Sequence, residues 1–573
     1  MIRSLFILAF CFLGTQLVAQ STSEQLATII KTVEEHEGYD TKKHPMGLFT
    51  RAYFKAEADF AKSQLEELKS IAANELSETE SISLEMLKFL LQDRIHYYEF
   101  DRYLNPLLSD SGFHAGFPYM VRPLANYKQV ISYLNKLNAI PEVVDNYLPL
   151  LREGLEKGMS QPRVIFKGYE SSYDSHIVDN YEDSFFYGPF RSLPESLSET
   201  QKDSVLTAAK EVISEKVVPQ FRRIKKFFEE EYLPKTRTTI GVSETPNGRD
   251  YYQNRINYYT TSTQYSADDI HQIGLGEVAR IKKEMHKIIE ELEFEGSFAD
   301  FLKFLRTDPQ FYVDTPEALL MHARDMAKRA DAQLPKFFKT LPRKPYGVAP
   351  VPDAIAPKYT GGRYIGTSKN STDPGYYWVN TYDLPSRPLY TLPALTVHEA
   401  VPGHHLQGSL NNELGDSIPQ FRKNTYLSAY GEGWGLYTEY LAAEMGMYTT
   451  PYERFGQLTY EMWRACRLVV DTGIHAKGWT REQVVDFMAS NTALSLHEVN
   501  TETDRYISWP GQALSYKIGE LKIRELRKKA EKELGAKFDI REFHEVILEQ
   551  GTVTLSILER RINAYIEKTK NGS

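Results

Sequence analysis

Cysteine is nearly missing: the 573 residues include two, Cys11 and Cys466. Cys11 lies in a stretch that reads as a removable leader, so the mature chain would keep one thiol and form no intrachain disulfide. An exported protein of this kind must rest on its apolar core. Long apolar runs are also missing. The longest, Leu5 to Leu13, is too short to span a membrane, and no later stretch looks transmembrane. Positive charge is not in excess either. The formal net charge is -9, and the one dense basic run, RELRKKAEKELG, alternates with Glu like the wet face of a helix. These shortages argue against nucleic acid and anionic membranes as partners. No internal repeat or low-complexity tract appears.

The first twenty residues, MIRSLFILAFCFLGTQLVAQ, carry Arg3, an apolar centre and the small residue Ala19. This is the pattern of a secretory signal peptide spanning 1–20, and it predicts a bacterial periplasmic or secreted protein. Aromatics are plentiful, with 37 Tyr and 29 Phe. They suit either a substrate groove or a large core with Tyr at its edges.

The rest reads as mainly α. Leu84, Leu87, Leu91 and Ile95 recur at helical spacing. The segment from Asn126 to Gly158 reads as two helices broken at Ile140-Pro141. Ser266 with Asp269, and Thr315 before Pro316, mark helix starts, and so does Thr480 with Gln483. Pro and Gly dominate 341–375, predicting irregular chain, followed by a strand over Tyr376 to Asp383. The expected organisation is a helical N-terminal region over 21–340 and a catalytic region over 341–573, with both parts packed as one body.

The chemistry concentrates in TVHEAVPGHHLQ, Thr396 to Gln407. His398, Glu399, His404 and His405 fall within eight residues. A zinc hydrolase needs nitrogen or carboxylate ligands, an open position, and a carboxylate base beside it. In the usual motif two His lie four apart on one helix, and the Glu after the first takes the proton. Here the fourth position holds Pro402. On an unbroken helix His405 would share a face with His398 but sit two turns away, at about 1.5 Å per residue. Pro402 cannot continue the backbone ladder and Gly403 tolerates unusual torsions, so the helix should bulge there. A two-residue bulge brings His404 to the ligand position. His398 and His404 are therefore the expected zinc ligands and Glu399 the base. His405 is a reserve ligand, or a group that touches substrate or supports a ligand.

A third ligand is sought in SAYGEGWGLYTEYLAAEMG. Glu432 and Glu439 lie seven apart on one face of an otherwise apolar helix, where an unpaired charge would be costly. Glu432, between two glycines, is the expected ligand. Arg464, Arg467, Asp471 and His475 recur at helical spacing, as part of an active-site wall or as a network tying helices together. Tyr516 is the expected oxyanion donor. Arg505 and His405 join Glu399 and Tyr516 as catalytic candidates. Asn380, Tyr506, Arg467 and His475 are the substrate-binding candidates, with Asn380 placed to hold an extended peptide.

Four ordered motifs, LPALTVHEAVPGHHLQ, GEGWGLYTEYLAAEMG, RLVVDTGIHAKGW and RYISWPGQALSYKIGE, together resemble the bacterial domain of unknown function 885 family. The resemblance extends over most of the mature chain. It implies a mainly helical, exported or lipid-anchored hydrolase grouped with the zincin-like metallopeptidases. It also implies zinc at His398 and His404, the base at Glu399 and the downstream ligand at Glu432. Within the larger glutamate-ligand peptidase superfamily, Gly403-His404 and Gly431 to Trp434 resemble the second half of the short motif and the later Glu turn, which supports His404 over His405. The expected function is zinc-dependent cleavage of short peptides by metal-activated water. The alternatives are a zinc amidase or esterase on a cell-wall or other exported substrate, and a non-catalytic periplasmic binding protein.

Overall fold

The computed structural model describes residues 21–353, 355–368 and 371–572, so the leader expected over 1–20 lies outside the described residues. The architecture is mainly α with one small sheet. Helix α1 (Glu78–Glu99) opens on a Ser77–Glu80 capping box and buries Leu84, Leu87, Leu91 and Ile95, the stripe expected from their spacing. Helix α2 (Tyr127–Glu156) corrects the expected break: it runs unbroken through Pro141 and Pro149. An interior proline costs about 3 kcal/mol. The buried row Leu137, Ile140, Val143, Val144, Leu148 and Leu151 spans the proline. At about 1.5–3 kcal/mol per side chain, that burial outweighs the cost. Helices α3 (Ala267–Glu291) and α4 (Pro316–Phe337) start at the predicted caps, Ser266 with Asp269 and Thr315 before Pro316.

The stretch expected to be irregular holds two strands. β1 (Tyr346–Pro350) and β2 (Gly362–Ile365) flank β3 (Gly375–Val379) in the order β1-β3-β2. β1 pairs with β3 in parallel, and β2 pairs with it antiparallel. The third strand is shorter than expected. It stops at Val379 because the Asn380 amide turns inward and donates to the carbonyls of Ala356, Tyr359 and Thr360. Tyr377 and Val379 then face a small core shared with Leu319 and Met326 of α4.

Then follow α5 (Leu392–Glu399), α6 (His404–Asn412), α7 (Ser428–Glu444), α8 (Pro451–Lys477), α9 (Arg481–Asn491), α10 (Leu496–Ser508), α11 (Ser515–Leu534) and α12 (Ile540–Leu548). Helix α9 carries the expected Thr480–Gln483 capping box. The largest core draws on both sides of residue 340, with Ile281 and Met285 of α3 packed among Cys466, Val469 and Val470 of α8. Gly274 permits this approach, since a Cβ there would lie 2.8 Å from Leu468 Cβ. No helix among the described residues is long and apolar enough to cross a membrane.

His544 on α12 makes a second core, around Phe338, Trp434 and Tyr437, acid-sensitive. Its Nδ1–H donates to the Phe337 carbonyl, which leaves Nε2 to accept from the Tyr437 hydroxyl. Burial pushes its pKa down to about 3. The unfolded chain takes this proton near 6.5 and the folded one near 3, so this group costs stability as pH falls through that window, by up to about 1.4 kcal/mol per pH unit. His544→Gln should lower stability at pH 7.5 yet flatten the loss between pH 7 and 5. Urea melts across that range test it, and an unchanged slope would refute the assignment.

Candidate metal centre

The short motif folds as two helices instead of one bulged helix. α5 ends at Glu399, residues 400–403 turn away from helical torsions through a cis Val401-Pro402 bond, and α6 restarts at His404. Backbone hydrogen bonds tie the break: Gly403 N–H donates to Val397 O at 2.9 Å and His405 N–H to Ala400 O at 3.1 Å. Only glycine fits at 403, because a Cβ would lie 1.8 Å from the His398 carbonyl oxygen. Trp434 pins the turn to α7 by donating its indole N–H to Pro402 O at 2.9 Å. The result sets the His398 and His404 rings edge to face, 4.8 Å between centroids.

Helix α7 brings the carboxylates. Glu432 Oε2 lies 3.6 Å from His398 Nε2 and 3.4 Å from His404 Nε2. Its other oxygen accepts from the Tyr426 hydroxyl at 2.7 Å. Two turns on, fully buried Glu439 sits behind His398, with Oε1 2.7 Å from Nδ1. A carboxylate there keeps the Nδ1 proton pointed at Glu439 and aims Nε2, the nitrogen a cation would take in place of a proton, at Glu432. Gly435 gives the His398 ring its seat, since a Cβ at 435 would lie 2.7 Å from His398 Cε1.

This donor set fits a divalent cation. One ligand atom from each of His398, His404 and Glu432 lies within 4.8 Å of the others. The Glu-to-His separations of 3.4 and 3.6 Å match the edge of a tetrahedron with bonds of about 2.1 Å, roughly 3.4 Å. Two imidazoles and a carboxylate form a borderline donor set that suits zinc. The electrostatics agree. Burial would lower the His398 pKa, but Glu432 and Glu439 outweigh it and raise it to about 10. Burial would raise that of Glu432, but His404 and His398 hold it well below the carboxylate range. A positive charge among these groups is strongly favoured.

Glu399, the last residue of α5, lines the same cleft, and one of its oxygens accepts from the Tyr364 N–H of β2 at 2.7 Å. The cleft has a volume of 820 Å³ and is also lined by Arg363, Tyr426, Arg467, Arg505 and Tyr516. Arg467 stacks 4.5 Å from the Tyr516 ring centroid. Arg505 on the same wall donates to Glu502 at 3.3 Å and to Gln512 at 3.1 Å.

Other predicted residues stand elsewhere. His405 lies outside the three-residue cluster. Its Nδ1 meets Tyr364 Oη at 3.1 Å and Ser409 Oγ at 3.3 Å, and burial lowers its pKa to about 4. Asn380 borders the cleft, but its side-chain amide N–H groups are spent on three loop carbonyls. Tyr506 is buried, with its hydroxyl taken by Trp463 and Arg467. His475 bridges the Val242 N–H and the Tyr506 carbonyl, and Asp471 accepts from the Tyr252 hydroxyl and the Gly511 N–H. Beyond Arg467, that stripe ties helices together. Sequence reasoning missed the support from Gly435, Tyr426 and the β2 backbone. Its seven-residue pairing of Glu432 with Glu439 did contain the signal for the carboxylate behind His398.

Residues 34–562 match the family described as bacterial protein of unknown function (DUF885). The chain belongs to this family. Among solved structures, this DUF885 chain is similar to the putative lipoprotein from Colwellia psychrerythraea, with 28% identity and a TM-score of 0.88 over 96% of this chain and all of that one. A putative lipoprotein of unknown function from Shewanella oneidensis shares the fold at 18% identity, with a TM-score of 0.71 over 95% of this chain and 99% of that one. No curated protein matches the DUF885 chain.

Two substitutions that remove no ligand should weaken metal binding. Glu439→Gln, which loosens the hold on His398, should raise the zinc Kd about 10- to 100-fold. Gly435→Ala, which pushes the ring off its seat, should act in the same direction. Competition with a zinc chelator measures both, and unchanged Kd values would count against the geometry.

Proposed function

We propose that this protein is an exported zinc hydrolase of the zincin-like type that cleaves amide bonds in short peptides. The observation that carries the reading is Glu432 Oε2 at 3.6 Å from His398 Nε2 and 3.4 Å from His404 Nε2, with ligand atoms of all three within 4.8 Å of one another and Glu399 on the same cleft. Zinc, when bound, supplies Lewis acidity that polarises a carbonyl and makes water acidic enough to react near neutral pH. Glu399 takes the proton of the attacking water and later returns it to the leaving amine. Its backbone partner on β2 fixes the carboxylate against the cleft. Tyr516, packed against Arg467, donates to the oxyanion as it develops. A lined cleft of this size suits a short, extended peptide better than a folded protein. The leader-like first twenty residues and the lipoprotein description of the two similar structures support export.

Metal analysis of protein purified without a histidine tag should find close to one zinc per chain, lost in Glu432→Ala. Glu399→Gln should keep the fold and the zinc while hydrolysis of a pool of short peptides, followed by mass spectrometry, falls by about 10²- to 10⁴-fold. Full hydrolysis in that variant would remove Glu399 from the mechanism, and absence of zinc in the parent would remove the function.

A further inference from the structure

The cleft is lopsided in charge. Arg464 and Arg467 leave α8 one turn apart and line the same cleft as the His–Glu cluster, together with Arg387 from the segment after β3 and Arg505 from α10. Two acids on that wall oppose them. Glu502 lies 2.9 Å from Arg467 and 3.3 Å from Arg505. Burial, then the charge of Glu502, pushes Glu498 up to about 7 against the pull of Arg387, Arg464 and Arg467. Glu439 lies 3.9 Å from Arg464, but the oxygen it presents is already 2.7 Å from His398. Four fixed cations thus meet two committed anions, Glu502 and Glu439, and one reluctant one, Glu498.

The arginines are also short of acceptors. Nε and Nη1 of Arg464, Nη1 of Arg467 and Nε of Arg387 are buried with no hydrogen-bond partner in the protein. Arg464 is only 6% exposed and is gripped by rings, with Cζ 4.3 Å from the Trp463 centroid and 4.8 Å from that of Tyr460. Stacking fixes its orientation without neutralising it. A buried guanidinium left without acceptors is costly, and a planar two-oxygen anion is its natural complement. Position adds to this. Arg464 and His398 share Glu439, and Tyr516 packs against both Arg464 and Arg467, so the wall begins beside the cluster.

We propose that this arginine wall receives a carboxylate of the substrate, either the α-carboxylate of a peptide C-terminus or an acidic side chain, and selects anionic peptides for cleavage. The proposal rests on the hydrolase reading for its word substrate, but the binding it predicts is measured without turnover. The probes are tetra-alanine as free acid, its C-terminal amide, and the C-terminal amide of Ala-Glu-Ala-Ala. Calorimetry with zinc-loaded Glu399→Gln should show one carboxylate probe binding about tenfold more tightly than the neutral amide. The free acid as the tight one assigns the α-carboxylate, and the Glu peptide assigns a side chain. Adding Arg464→Gln should erase the difference. Arg387→Gln, in a loop outside the helical core, should shrink it with circular dichroism unchanged, which separates lost recognition from lost folding. The proposal is overturned if the three probes behave alike, by binding equally or not at all, or if the preference survives both arginine substitutions, as it would if the carboxylate sat on the metal. Failure of the hydrolase reading would appear separately, as missing zinc or missing turnover in the parent.

Discussion

Glu432 and Glu439, seven residues apart on one face of α7, close on the two nitrogens of a single imidazole, that of His398. Burying two carboxylates in a helix that otherwise carries Trp434, Leu436, Tyr437 and Leu441 costs several kcal/mol per charge unless each finds a partner. His398 is that partner for both, and His404 adds to Glu432. Much else follows from keeping this pair of helices in register. Helix α7 crosses α11 backbone to backbone, where a Cβ on Gly433 would lie 2.6 Å from Gly519 Cα, and α5 reaches α7 over Gly435. The three glycines of GEGWG serve three neighbours: Gly431 makes room for the Tyr426 ring, Gly433 for the backbone of α11 and Gly435 for the ring of His398.

The interruption between α5 and α6 solves a geometric problem. Six residues of unbroken helix would carry His404 about 9 Å along the axis and turn it well away from His398. Ending α5 at Glu399 and restarting at His404 resets both rise and direction, and the break is tolerated because backbone hydrogen bonds tie it and Trp434 anchors Pro402. Glu399 profits from the same break. As the terminal residue of α5 it reaches β2, whose Tyr364 N–H it accepts. The small sheet thus acts less as a core element than as a rail beside the cleft.

How much of this was legible in the sequence depends on how local the cause is. Caps at Ser266, Thr315 and Thr480 depend on residues three apart, and they stand where their side chains predicted. The proline break in α2 was misread because the deciding term, a buried apolar row across Pro141, belongs to tertiary packing. β1 and β2 were hidden in Pro- and Gly-rich chain because strand pairing there depends on β3, some ten to thirty residues on. At the site, the residue types pointed to His398, His404 and Glu432, which the fold brings together, whereas His405 and His475 could be sorted from them only once their buried partners were visible. A histidine's chemistry is readable from its letter; its neighbours are not.

The position of Tyr516 shows how the scaffold bears on chemistry. The next residue, Lys517, is fully buried and lies 2.8 Å from Glu461 of α8, 2.9 Å from Glu520 of its own helix and 3.0 Å from Glu277 of α3. Burial alone would push the Lys517 pKa down, but these three carboxylates hold it above the ordinary lysine range. The same network, with Arg280 and Arg524, holds Glu461 far below the usual carboxylate value. Replacing such a network with apolar side chains could raise stability, since buried ion pairs recover their desolvation cost poorly. What an apolar core would not supply is direction. Charge pairs with fixed partners on two other helices set the rotation of α11, and with it the side from which Tyr516 enters the cleft. In the proposed mechanism the Tyr516 hydroxyl meets a developing charge, and placing it within a few tenths of an ångström needs that kind of constraint.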